Sequence, residues 1–215
     1  MIPAEEALDK LKAGNARFVA ESRSNHDHVG EARRTQVAEG QEPFAIILGC
    51  SDSRVPAELI FDQGLGDLFV IRVAGNIVAA SQIGSIEFAA ERFHTRLVVV
   101  LGHTQCGAIS ATLEALSHGS DAQSPSLQFI VDRVRPAIEP LFKTALRDDP
   151  GALAREAVRA NIRASVEHLR HGSEILEELI QRNGLTIVGA EYSLETGLID
   201  FFDEALDDRG AALKG

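Results

Sequence analysis

Two short stretches carry the side chains that could do chemistry. The first, "LGCSDSR" over Leu48–Arg54, sets a thiol (Cys50), a carboxylate (Asp52) and a guanidinium (Arg54) at every second position. The second, "LGHTQCGA" over Leu101–Ala108, sets an imidazole, His103, three residues before the only other cysteine, Cys106. Each stretch follows a short apolar run that ends in a glycine. If the chain stays extended past Gly49, period two turns Cys50, Asp52 and Arg54 to one side and Ser51 and Ser53 to the other. Two thiols and an imidazole form a Cys2His set, the combination that selects zinc in a reducing compartment, and three protein ligands leave the fourth position open for catalysis. The residues alone leave alternatives standing. Buried cysteines at strand ends also serve as small hydrophobes, and a Cys50–His103 nucleophile pair is conceivable, although it leaves Cys106 and Arg54 without tasks.

The elements that must position these groups alternate along the chain. Phe44–Leu48 reads as a buried strand after Pro43, followed by a short helix near Pro56–Phe61 with Pro56 in its first turn. "DLFVIRVAG" is a second strand and "SQIGSIEFAAERF" a helix opened by Ser81. "RLVVVLG" is a third strand, with a helix from Gly107 to Ser117 after it and a polar, loop-like tract over 117–126. Two helical stretches, "SLQFIVDRVRPAIEPLF" and "ALAREAVRANIRASVEHLRHGSEILEELIQRN", are separated by "RDDPG"; Asn183-Gly184 stops the second, and "LTIVGAEY" is a fourth strand. The alternation predicts an α/β fold, a mainly parallel central sheet of four to five strands flanked by helices, with function at the carboxyl ends of the strands. Before the first strand lie an amphipathic helix, "AEEALDKLKAGNARFVAE", and a second around Glu31–Glu39. They have little obvious place in a four-stranded core and are expected to pack on a partner subunit. The whole 1–215 chain reads as a single domain: a helical arm (1–40), an α/β core (41–205) and a tail (206–215).

With 215 residues, 45% of them hydrophobic, the chain can bury a large core. Its net charge of −11 disfavours nucleic acid and anionic membrane surfaces as partners. No apolar run approaches the length that spans a bilayer. "MIPAEEALDK" has neither a basic nor an apolar leader region, so a cytoplasmic location is expected, with reduced thiols and no disulfide. "GCSDS" lacks the second glycine of a nucleophile elbow. "GLGDLF" lacks the third glycine of a dinucleotide fingerprint, and no phosphate-binding P-loop is present. His26 and His28 flank a polar loop, His94 and His118 end helices, and His168 with His171 lack a third ligand nearby.

"CSDSRV" followed by "GHTQCG" resembles the β-class carbonic anhydrases, whose pattern is C-x-D-x-R and H-x-x-C-G. The likeness extends to "LKAGNARF", "GDLFVIRVAGN", "SIEFA" and "GAEYSLETG", and so over most of the chain. It implies one Zn2+ per chain, held by Cys50, His103 and Cys106, and the reversible hydration of carbon dioxide to bicarbonate and a proton. Zinc makes hydroxide available from bound water near neutral pH. Asp52 would orient that hydroxide, and Arg54 would grip Asp52 in a charge-assisted pair. The family shows two stations for this aspartate, paired with the arginine or bound to zinc in a closed site. Gln41, Phe69 and Phe88 match substrate-pocket positions, Phe88 standing where a tyrosine is usual. Arg72 and Tyr192 match two members of a bicarbonate inhibition site, with Ile47 in place of its tryptophan. The resemblance also implies a homodimer or homotetramer. Relatives on this scaffold hydrolyse carbon disulfide or carbonyl sulfide, and a silent zinc protein used for interaction or sensing is a reading of a different class.

Overall fold

A computed structural model describes residues 2–22, 30–119 and 124–202. His26, His28, much of the polar tract around 120–123 and the 206–215 tail lie outside the described residues. Five strands form one sheet: β1 (Ala45–Gly49), β2 (Leu68–Arg72), β3 (Leu97–His103), β4 (Thr186–Tyr192) and β5 (Ile199–Phe202), in the order β2-β1-β3-β4-β5. The first four are parallel, and β5 runs antiparallel to β4. The four strands read from the sequence are the four parallel ones. β5 completes the five; its "IDFF" is too short to stand out as an apolar run.

β1 and β3 are buried along their whole length, so they carry near-continuous apolar runs. The pleat divides their side chains between two cores. Ile46, Leu48, Val98 and Val100 face one, with α4 (Ala80–Arg92), α5 (Gly107–His118), α6 (Pro125–Ile138), α7 (Pro150–His171) and α8 (Glu174–Asn183). Ala45, Ile47, Leu97, Val99 and Leu101 face the other, with α1 (Ala4–Val19) and α3 (Ala57–Ile60). The strand order reverses between β1 and β3. At such a switch point the connections leave in opposite directions and open a crevice at the strands' carboxyl ends, and Cys50 and His103 stand there.

Several sequence expectations are corrected. α1 has a place in its own chain: Ala7, Leu8 and Leu11 seal the second core against β1 and β3. Asn15 fixes its far end, donating to the carbonyls of Ile60 (3.1 Å) and Gly197 (2.9 Å) and accepting from Ile199 N–H (3.0 Å). Among the α-helices of the described residues, α2 (Glu31–Val37) alone buries none of its residues. Pro56 precedes α3 with extended ψ rather than opening its first turn, and Ser81 lies inside α4, whose cap position is Ala79. The long helical stretch after "RDDPG" breaks at Gly172, where Ser173 caps α8 by accepting from Leu176 N–H. Gly184 ends α8 with a left-handed φ of 71°, as the Asn-Gly signal predicts.

Candidate metal centre

β1 delivers Cys50 and β3 delivers His103, with Cys106 one turn later at the cap position of α5. Their ligand atoms lie within 4.8 Å of one another, and all three residues are buried. Cys50 Sγ and Cys106 Sγ are 3.9 Å apart, both as free thiols. A tetrahedral zinc with Zn–S bonds of about 2.3 Å holds two sulfurs about 3.8 Å apart. His103 is completely buried, and its Nε2 has no hydrogen-bond partner. Its Nδ1 lies 2.9 Å from the carbonyl of Thr104, which can only accept, so the proton sits on Nδ1 and the Nε2 lone pair is free for a metal. An orphaned imidazole nitrogen beside two thiols at zinc spacing fits the ion.

Electrostatics point the same way. The Cys50 thiol is held far below its ordinary pKa, chiefly by a hydrogen bond with Cys106, with the imidazole of His103 and the amide of Gly75 contributing and burial opposing. Cys106 is pushed up by the same bond and by burial, so without a cation the pair carries one negative charge readily and resists a second. The amides of Ala108 and Ile109 at the start of α5 nevertheless favour its ionised form. Burial draws the His103 pKa down, but Cys50 and the Thr104 carbonyl outweigh it and the net shift is upward. The site therefore favours positive charge at Nε2.

Asp52 and Arg54 meet by a different route from the one period two predicts. The chain leaves β1 and turns, with Val55 N–H donating to Asp52 O (3.0 Å) and Arg54 N–H to Asp52 Oδ1 (3.0 Å). Arg54 then grips both carboxylate oxygens, Nε to Oδ1 at 2.9 Å and Nη2 to Oδ2 at 2.8 Å. This fork holds the Asp52 carboxyl well below the usual range. Asp52 Oδ2 lies 3.8 Å from His103 Nε2, at the border of the thiol–imidazole group but engaged with Arg54.

Arg72 and Tyr192, the two matches to an anion site, have these surroundings in the chain. Arg72 donates to the carbonyls of Cys50 (3.1 Å) and Asp52 (2.6 Å), clamping the loop that carries them. Ile47 is fully buried and Tyr192 nearly so, in the core beneath α1. Phe69 and Phe88 do meet, their rings 6.2 Å apart, with Phe93 completing a trio. Phe69 pairs with Ile46 near the start of β1, about 13 Å along the strand from Cys50. Gln41 precedes β1 altogether, in a cavity of about 580 Å³ with Phe44, Asp67 and Phe93. A single chain does not bring these three to its own thiols.

Sequence reasoning missed the groups that support the ligands: the Thr104 carbonyl, the Arg72 clamp and the amide of Gly75, which donates to Cys50 Sγ over 3.4 Å. A signal for the last was present. "LFVIRVAG" is a third apolar strand running into a glycine, the same event that announces Cys50 and His103.

A family model described as carbonic anhydrase matches residues 45–199. Carbonic anhydrase 2 of Mycobacterium tuberculosis is 40% identical over 191 residues, covering 89% of each chain. The carbonic anhydrase of Mycolicibacterium smegmatis is 40% identical over 196 residues, covering 90% of this chain and 91% of the relative. Among solved structures, the β-carbonic anhydrase CafA of Aspergillus fumigatus superposes with a TM-score of 0.73 at 25% identity, covering 93% of this chain and 90% of that one. The β-carbonic anhydrase CcaA does so with 0.72 at 26% identity, covering 94% and 91%. The chain belongs to the carbonic anhydrase family, in its β class. It is a zinc enzyme that interconverts carbon dioxide and bicarbonate.

Proposed function

We propose that Cys50, His103 and Cys106 hold one zinc per chain and that Asp52, steadied by Arg54, is the group beside it that manages the reacting water. The observation that carries this reading is the buried, partnerless His103 Nε2 facing two thiols 3.9 Å apart. Bound there, zinc supplies a Lewis-acid centre at which water becomes acidic enough near neutral pH to attack carbon dioxide. The chain's own groups do the rest. The Thr104 carbonyl fixes the His103 ring and its tautomer. The Arg54 fork keeps Asp52 ionised, so that it accepts a hydrogen bond from the reacting water and turns the water's lone pair toward substrate. Arg72 holds the 50–52 backbone against drift. The station of Asp52 on the metal is reached only by breaking the fork, and Arg54 is thereby the residue that keeps the site open.

The pocket is proposed to be completed by a second copy. Gln41, Phe69 and Phe88 lie toward the amino ends of the strands, and Phe88 is 53% exposed in the single chain. Structures of β-carbonic anhydrases from Sordaria macrospora, 23% identical, are described as tetrameric. A homodimer or homotetramer is expected here. No helix among the described residues is long and apolar enough to cross a membrane. A cytoplasmic location suits two metal-binding thiols that must stay reduced.

Elemental analysis should find one zinc per chain, lost in Cys50→Ser, His103→Ala and Cys106→Ser. Asp52→Asn should keep the zinc and lose most of the hydration rate, by about 10²–10⁴-fold, the usual range for a positioned proton-handling group. Parallel assays on carbon dioxide, carbon disulfide and carbonyl sulfide test the substrate. Full activity in a zinc-free protein, or in a species sedimenting as a monomer, overturns the corresponding part.

A further inference from the structure

The connection after β2 places no ligand, yet it brings a donor to the metal centre. Gly75 N–H points at Cys50 Sγ, 3.4 Å away. It does so from a single tight turn, Ala74–Asn76, in which Gly75 has φ +69° and Asn76 φ +43°. Glycine and asparagine are the residue types that enter the left-handed region most readily, so the turn is permitted by its sequence and needs only to be held in place. A methyl at Gly75 would also meet Ala108 Cβ at 3.0 Å. The restraints come from α7. Asn161 Nδ2 donates to the carbonyl of Gly75 at 2.8 Å, and Ser165 Oγ donates to the carbonyl of Asn76 at 3.2 Å. Four residues apart, the two lie on one face of the helix, and both are buried.

We infer that Asn161, aided by Ser165, is a positioning residue of the metal centre: by holding the carbonyl of Gly75 it fixes the turn from which the N–H of the same residue donates to the Cys50 sulfur. The inference rests on the zinc reading above. An N–H donor draws charge from a thiolate, so a sulfur that has lost it gives more charge to its metal and is more easily oxidised. It also loses one of the contacts that hold it at bonding position. Residues one step removed from a metal commonly act in this way, and removing them costs about 10–100-fold in metal affinity.

The test uses the full chain loaded with zinc or with cobalt(II). Competition with a chromophoric chelator reads zinc affinity, and the thiolate-to-cobalt charge-transfer absorption reads the charge on the sulfurs. Asn161→Leu keeps the side-chain bulk and removes the donor. It should lower zinc affinity about tenfold and move the absorption to longer wavelength. Leu169→Ala, two turns further along α7 and fully buried, should lower stability while leaving both readings unchanged. Should Asn161→Leu fail to fold, Ser165→Ala removes one hydroxyl and should move the absorption in the same direction. Wild-type absorption and affinity in the variant that folds, or equal shifts in Leu169→Ala, overturn the inference. A wild-type chain that binds neither metal overturns the zinc reading itself, and this inference with it.

Discussion

Gly102→Ala tests how α7 is seated above the metal centre. A Cβ at Gly102 would lie 2.5 Å from Ile162 Cδ1 and 2.7 Å from Ile162 Cγ1. Relaxed carbon contacts are about 3.5–4.0 Å, so something must yield by about 1 Å. Ile162 is fully buried, and its Cγ2 is also pressed against β4, where a Cβ at Gly189 would meet it at 2.9 Å. Confined between β3 and β4, the side chain has little room to turn aside, and the helix is expected to retreat. Overpacking of this kind costs about 1–3 kcal/mol. The same retreat stretches the 2.8 Å bond from Asn161 to Gly75 beyond hydrogen-bond range, which adds about 1 kcal/mol. The expected loss is about 2–4 kcal/mol. Chemical denaturation at fixed protein and zinc concentration measures it, because ligand and assembly both shift apparent stability. Ile162→Ala alone should cost about 2–5 kcal/mol by opening a cavity. In the double variant the alanine methyl enters that cavity, so the two losses should fall short of their sum by about 1–3 kcal/mol. Strict additivity, or a Gly102→Ala protein as stable as wild type, would refute the seating of α7 on these two glycines.

Two further outcomes follow from single residues. Asn15→Ala removes three hydrogen bonds that tie α1 to α3 and β5, and should destabilise the protein by about 2–4 kcal/mol at about 1 kcal/mol per bond; a loss below about 0.5 kcal/mol would contradict the role given to it. Tyr192 is the only tyrosine and the chain has no tryptophan, so tyrosinate absorbance follows one phenol. Burial raises its pKa, so its contribution to stability is complete below the unfolded phenol pKa of about 10 and is lost as pH rises through the folded value. The titration midpoint should therefore lie above that of the urea-unfolded chain, and Tyr192→Phe should lose less stability at alkaline pH; a native midpoint at or below the unfolded one sinks the argument.

The parts of the site legible in the sequence share one property: each ligand lies at or just after the end of a strand that announces itself. Ile46–Leu48 and Val98–Leu101 are buried on both faces, so their apolar runs are unbroken, and the residues after the terminal glycines had to lie at the carboxyl end of a parallel sheet. Period two failed just beyond, because the Asp52 carboxylate accepts from the amide of Arg54, two residues on, and turns the chain, a local competition between side chain and backbone that alternation does not encode. It still brought Asp52 and Arg54 together, since residues two apart are also within reach across a tight turn. The place of the N-terminal helix in the core of its own chain was missed for another reason. Its apolar face needed a second sheet surface to cover, and the pleat supplies one: Ala45, Ile47, Leu97, Val99 and Leu101 turn away from the α7 side and gather with α1 and α3.

What remained hidden depends on distance in the chain. The strand that runs into Gly75 says where that residue lies in the sheet but not that its amide reaches Cys50, and nothing near Asn161 marks it as different from any polar residue on an amphipathic helix. Its role exists only because Gly102 and Gly189, on adjacent strands, let Ile162 descend far enough for its neighbour to touch a turn eighty-six residues earlier. Those two glycines were visible in "VVVLGH" and "TIVGAE", but as interruptions of strands. A glycine inside a buried strand marks the close approach of another backbone or side chain. Here that approach carries support from α7 into the metal centre, so the positions that look weakest as strand formers are the ones on which the Cys50 environment depends.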